Sequence, residues 1–182
     1  YLHFDVAIQG YRNAASAIGV EWSETEGRAM AERVAHMSFE GITPRPGMRE
    51  TLDTLRERGI HLGGVSNADD FQLDAMVDAL GVRDVFHHLL SSETARSCKP
   101  DAAIFRDCLA GLSVDDPVGV VHVGDLRRTD VAGARALGMT TVRFRGVVED
   151  DVPEEGDDDG PEADHVIDRL AELPALLGVA GG

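Results

Sequence analysis

Residues 118–139 read VGVVHVGDLRRTDVAGARALGM. The stretch opens with six residues, 118–123, in an almost unbroken apolar run, as expected of a strand buried on both faces of a parallel sheet. Gly124-Asp125 closes it. Asp130, five residues on, opens a helix over 130–137 that Gly138 ends, and 140–144 read as the next strand. A strand, an acidic turn, a Gly/Ala-rich helix and a second strand form one βαβ unit, and such units build α/β proteins. Two carboxylates at the exit of a buried strand are the hard oxygen donors that Mg²⁺ takes while keeping several waters.

The same alternation runs outward in both directions. Towards the N-terminus, 60–65 (IHLGGV) and 87–91 read as strands. Residues 70–80 form a helix closed by Gly81, and 101–110 form another. Towards the C-terminus come an acidic stretch, a short strand at His165–Ile167 and a terminal helix over 169–177 with Pro174 within it. The expected fold is α/β, a Rossmann-like three-layer parallel sheet. The first forty residues differ in texture. Phe4, Ile8, Tyr11, Ala15 and Ile18 fall at helical spacing, and Ser23 with Glu26 forms a capping box before a second helix carrying Met30, Val34 and Met37. The expected organisation is a small, partial helical cap over 1–43 and an α/β core over 44–182.

The formal net charge is −16. An acidic surface repels nucleic acid and anionic membranes, so neither is an expected partner. No apolar run is long enough to span a bilayer. Cys98 and Cys108 form no metal-binding or redox spacing, which fits reduced thiols in a cytoplasm. The run VVEDDVPEEGDDDGPEAD (147–164) lacks the spaced ligands of a calcium loop and reads as a solvated connection. His122 lies inside its strand and reads as a core or flanking residue; the other histidines read as surface residues.

In open parallel sheets, ligands sit beyond the carboxyl ends of the strands. Ser66-Asn67 stands there after 60–65, Lys99-Pro100 after 87–91, and Asp125 with Asp130 after 118–123. Each has an ordinary structural reading: a turn for Ser66-Asn67, a helix start for Lys99-Pro100, an N-cap for Asp130. Together they supply a hydroxyl, an ammonium and two carboxylates to one rim, the set that a phosphoryl group and its metal require. Lys99 is the only lysine among 17 basic residues. An ammonium is a compact charge on a thin stem, whereas a guanidinium is a broad planar fork that would crowd a small phosphate pocket.

GVSN at 64–67, KPDAAIF at 99–105 and HVGDLRRTDVAGARALGM at 122–139 resemble the second, third and fourth motifs of the haloacid dehalogenase superfamily of hydrolases. The resemblance extends from about Pro44 to the end, and the first forty residues resemble part of a helical cap. It implies that Ser66 and Asn67 bind the transferring phosphoryl group and that Lys99 holds a phosphoryl oxygen and the nucleophile. It also implies that Asp125 ligates Mg²⁺, while Asp130 supports the metal shell or pairs with Lys99. The acidic pair resembles the phosphatase branch more than the dehalogenases. The implied function is a Mg²⁺-dependent phosphatase for a small phosphorylated substrate, acting through an aspartyl-phosphate; the alternatives are a non-catalytic module of the same fold or a haloacid dehalogenase.

The first motif of that family, an Asp-x-Asp-x-Thr at the end of the first strand, has no counterpart here. Asp5 in FDVAIQG is the only early candidate, but Ala7 and Gln9 stand at the other two positions and the helical spacing opposes a strand. The expectation is a core lacking its first strand, in a protein whose native N-terminus is longer. That strand's place is between the second- and fourth-motif strands. These 182 residues alone are then expected to be inactive, and unpaired strand edges would permit a homodimer.

Overall fold

A computed structural model of the chain describes residues 3–39, 41–145 and 159–179. Most of the acidic run lies outside these residues. Two helices, α1 (His3–Ala17) and α2 (Glu24–Phe39), come first. They meet through Ile8 and Ala31, with Tyr11 and Phe71 packed alongside. Ile8 and Ala15 of the first stripe are buried, whereas its end, Ile18, is 80% exposed and Met37 of the second helix 57%. Helices approach most closely over small residues, and a Cβ on Gly27 would stand 2.8 Å from Cγ of Arg12. The pair therefore closes over Gly27 and Ala31. The Ser23–Glu26 capping box forms, with the Ser23 N–H donating to Glu26 Oε2 at 2.8 Å.

The core contains α3 (Met48–Glu57), β1 (Gly63–Ser66), α4 (Asp70–Ala79), β2 (His88–Ser91), α5 (Ser92–Ala95) and α6 (Ala102–Gly111). It continues with β3 (Val121–Gly124), a single π-type turn at Arg127–Val131, α7 (Ala132–Ala136), β4 (Thr140–Phe144), β5 (His165–Ile167) and α8 (Leu173–Leu176). Every strand pairing is parallel: β1 with β2, β3 with β4, and β4 with β5. Strand alternation divides the apolar side chains between two covering layers. Val65 and Leu90 pack with Ile104, Phe105, Leu109 and Ala134 on one side. On the other, Leu89 joins Leu73, Val77 and Leu52, while Val121 and Val123 join Val142, Ile167 and Leu173. Helix, sheet and helix give the three-layer architecture expected of the sequence.

Three local features differ from the sequence reading. β3 starts at Val121, because Pro117 accepts from the Val120 N–H in a turn whose Gly119 has φ +91°. A short helix, α5, follows β2 where the sequence suggests only a loop; Ser91 caps it by accepting from the Thr94 N–H at 3.0 Å. The terminal helix is a 3₁₀ turn (Leu170–Glu172) followed by the single turn of α8, with Pro174 in its first turn.

The described strands form two sheets, β1-β2 and β3-β4-β5. β1 and β3 each have one edge without a strand partner among the described residues. A cleft of about 90 Å³ separates them. Gly63 and Val65 line one wall, Val121 and His122 the other, and Phe105, Cys108, Leu109 and Leu112 of α6 form the floor. Burial pushes the Cys108 thiol up to about 11, so it lines this slot as a small apolar group.

Candidate active site

The carboxyl ends of β1 and β3 flank the slot, and three segments tie its two sides together. Asn67, immediately after β1, brackets the backbone of Lys99: its Nδ2 donates to the Lys99 carbonyl at 3.0 Å, and its Oδ1 accepts from the Lys99 N–H at 2.7 Å. The following Lys99–Pro100 peptide is cis. The Lys99 side chain then crosses to the other sheet, where Nζ lies 2.7 Å from Asp130 Oδ1. Thus a residue of the β1 turn fixes the lysine backbone, and a residue beyond β3 fixes its ammonium.

Asp130 is buried. Its side chain is 4% exposed, against 13% for Lys99 and 14% for His122. His122 Nε2 lies 3.1 Å from the same Oδ1 that Lys99 contacts, and the Leu126 N–H donates to Oδ2 at 3.2 Å. Burial acts to raise the Asp130 pKa. The His122 hydrogen bond and the Lys99 charge outweigh it and hold the carboxyl at about 2. It is therefore an ionised carboxylate whose oxygens already have donors. Asp130 is not an N-cap; it sits inside the π-type turn and bonds back to the turn's entrance.

Asp125 differs from Asp130 although the two are close in sequence. It is exposed at the end of β3, and its carboxylate makes no hydrogen bond or ion pair among the described residues. Its carbonyl accepts from Nε of Arg143, on the neighbouring strand β4, at 3.2 Å. Ser66 is the last residue of β1, in register with Ser91 of β2. Asp5 lies within α1, exposed, in a helix rather than at a strand end.

The sequence reading passed over two contributors. One is His122, which the apolar run of its strand disguises as a core residue. Period-2 alternation is the signal that could have found it, because it puts His122 on the same face as Gly124, where Asp130 lies. The other is the returning end of the acidic stretch, which is anchored rather than merely solvated. Arg127 donates to the carbonyls of Gly160 and Pro161 and pairs with Glu162, and Arg135 donates to the Glu162 carbonyl. Asp164 accepts from the backbone N–H and the hydroxyl of buried Thr141, both at 2.8 Å. Those partners lie far away in sequence, so composition alone could not reveal them.

The family model described as Haloacid dehalogenase-like hydrolase matches residues 9–144. The chain belongs to the haloacid dehalogenase-like hydrolases. Its relatives include Ribulose-1,5-bisphosphate 5-phosphatase of Halopiger xanaduensis, 35% identical over 181 residues, covering 97% of this chain and 72% of that protein. Glyceraldehyde 3-phosphate phosphatase of Methanopyrus kandleri is 36% identical over 135 residues, covering 74% of this chain and 57% of that protein. Haloacid dehalogenase-like hydrolase domain-containing protein 3 of Homo sapiens is 38% identical over 137 residues, 71% of this chain. The chain spans 50% of that human protein's length. Among solved structures, a HAD phosphatase from Thermococcus onnurineus superposes with TM-score 0.71 at 23% identity, covering 94% of this chain and 88% of that one, which shows the shared fold. The haloacid dehalogenase-like core thus accounts for the parallel strands, and among the described residues no helix is long and apolar enough to cross a membrane.

Proposed function

We propose that this protein is a Mg²⁺-dependent phosphatase for a small phosphomonoester, working through an aspartyl-phosphate intermediate. The observation that carries the reading is the Lys99–Asp130 contact, 2.7 Å between Nζ and Oδ1. With the Asn67 bracket it links the turn after β1 to the turn after β3 through Lys99. A lysine whose backbone and ammonium are both fixed has its remaining N–H donors pre-aimed, and preorganised charge stabilises a transferring phosphoryl group.

The nucleophile belongs on a parallel strand in the slot between β1 and β3, which would complete both edges and bring a carboxylate to the rim. The described residues do not place one there. That carboxylate attacks phosphorus and the ester P–O bond breaks. A second carboxyl group two residues further on, in its protonated form, gives its proton to the leaving oxygen and afterwards takes one from the attacking water. Ser66 Oγ–H and the Asn67 backbone N–H donate to the phosphoryl oxygens, and Lys99 neutralises their charge. Water then attacks the acyl phosphate, releasing inorganic phosphate and restoring the carboxylate.

The donor set fits Mg²⁺ with waters in most positions. No group of three or more His, Cys, Asp or Glu that could hold a metal occurs among the described residues, yet Asp125 offers a free hard-oxygen ligand. Mg²⁺ commonly takes one or two carboxylates and keeps its remaining waters. Asp125 would hold it directly. Asp130, with its oxygens already engaged, would act through water or through Lys99. Mg²⁺ bound there would offset the negative charge of the phosphate.

For the substrate we favour a small phosphorylated carbohydrate, because the relatives named for glyceraldehyde 3-phosphate and ribulose 1,5-bisphosphate are both phosphatases for such compounds. Cys98 and Cys108 form no disulfide among the described residues, which suits a cytoplasmic setting. The test is phosphate release by the intact gene product from a panel of phosphorylated sugars, with Mg²⁺ and with EDTA, alongside halide release from a 2-haloacid. Metal-dependent phosphate release supports the reading. Halide release without metal would replace it with a dehalogenase, and no turnover of either kind would leave a non-catalytic module.

A further inference from the structure

We propose that His122 is a positioning residue of this site, locking the Asp130 carboxylate and, through it, the direction of the Lys99 ammonium. The proposal rests on the phosphatase reading for its catalytic consequence, but its structural part stands without it.

His122 and Gly124 are two residues apart in β3, so they share a face. On that face a Cβ at Gly124 would meet the carboxyl group of Asp130, with Oδ1 2.7 Å away. The missing side chain at Gly124 lets Asp130 lie flat against the strand, within reach of the ring one pleat earlier. His122 Nε2 and Lys99 Nζ then converge on the same oxygen, at 3.1 and 2.7 Å. An ionised carboxylate only accepts, so Nε2 carries the proton in this contact.

Lys99 could not impose this order alone. Its ammonium sits on a flexible four-carbon stem and rotates freely about its last bond. A carboxylate held by one ammonium can swing about its own terminal torsion. Here Oδ1 is held by His122 as well as by Lys99, and Oδ2 by the Leu126 N–H with the Thr129 hydroxyl at 3.5 Å, which together define the carboxylate plane. The ring is held in turn by Phe105, packed edge-on with centroids 5.2 Å apart. Phe105 also fills the space over Gly133 in α7. The chain of support runs from α6 through His122 to Asp130 and then to Lys99.

The test uses the fact that Lys99 is the only lysine. In protein labelled with ¹³C at lysine Cε, the Lys99 signal is assigned as the one that K99R removes. We compare wild type with H122F, which keeps a ring against Phe105 but has no donor, and with H122Q, which restores an N–H at similar reach. H122L is a second donorless variant should H122F not fold. The expected result is that the donorless variant shifts and broadens the Lys99 signal while H122Q keeps it near wild type. In turnover, the donorless variant loses about 10- to 100-fold in kcat with KM changed less than about 3-fold, the range for a lost preorganising contact, and H122Q recovers most of it. An unchanged Lys99 signal in a folded donorless variant overturns the proposal, as does an H122Q that behaves like H122F. If the signal moves as expected but no variant and no wild type turns over phosphate, the positioning stands and the phosphatase reading falls.

Discussion

Gly124 and Asp130 compete for one volume: the carboxyl group of Asp130 occupies the place a side chain on Gly124 would need, with Oδ1 2.7 Å from the position of its Cβ. The strand-end glycine is therefore a condition for the buried carboxylate. G124A should push Asp130 away from Lys99 and His122. Overpacking of this kind costs about 1–3 kcal/mol, enough to lower the melting temperature by several degrees in a chain of this size. A thermal melt checks the stability, and phosphate release should fall at least tenfold with it.

The lysine is the second point of test. K99A leaves a buried carboxylate with His122 at 3.1 Å and the Thr129 hydroxyl at 3.5 Å as its remaining side-chain partners. Removing one member of a buried pair costs about 3–5 kcal/mol when nothing else compensates; with His122 and the Leu126 N–H in place, a loss near the low end or below is expected. K99R keeps the charge but brings a wider, planar head group. It should restore part of the stability in a denaturant titration and little of the activity.

Acid stability should report Asp130 directly. Its folded-state value of about 2 lies below the roughly 3.9 of an unfolded aspartate. Between those values the unfolded chain binds more protons, so stability rises with pH. The contribution is fully present above about pH 4 and is lost as pH falls towards 2. Denaturant melts between pH 2 and 6 should show a shallower acid slope for D130N than for wild type, even though D130N is less stable throughout.

Asp164 gives a prediction outside the site. It accepts both the N–H and the hydroxyl of Thr141, which is fully buried on β4. D164A removes those acceptors and leaves a buried donor unsatisfied. Amide exchange at Thr141 should quicken and the melting temperature should drop, while D159A, which makes no such bond among the described residues, should leave both unchanged.

Local chemistry made the parallel α/β core legible. The strands at 87–91 and 140–144 and the glycines that close the helices stand close to their observed places, because strand and helix-stop signals are short-range. The strand ends were legible for the same reason: Ser66 ends β1, and Asn67 and Asp125 stand just beyond β1 and β3. What stayed hidden depends on distant partners. His122 looks like filler until Asp130 is folded back onto its strand. Residues 160–164 look like solvated acid until Arg127, Arg135 and Thr141 reach them. The helical stripe of α1 is legible through Ile8 and Ala15, which are buried, while the close approach over Gly27 depends on Arg12 of the other helix.

The central claim is that Ser66, Lys99 and Asp125 serve one magnesium-dependent phosphoryl site. It is tested most directly by the initial rate of phosphate release from ribulose 1,5-bisphosphate and glyceraldehyde 3-phosphate by the intact gene product, measured as a function of Mg²⁺ for wild type, K99A and D125N. The rate should saturate with Mg²⁺ in wild type, fall by at least about 100-fold in K99A, as loss of an electrostatic group at the transferring phosphoryl implies, and need far more Mg²⁺ in D125N. Turnover that is indifferent to Mg²⁺, or that survives K99A undiminished, would contradict it.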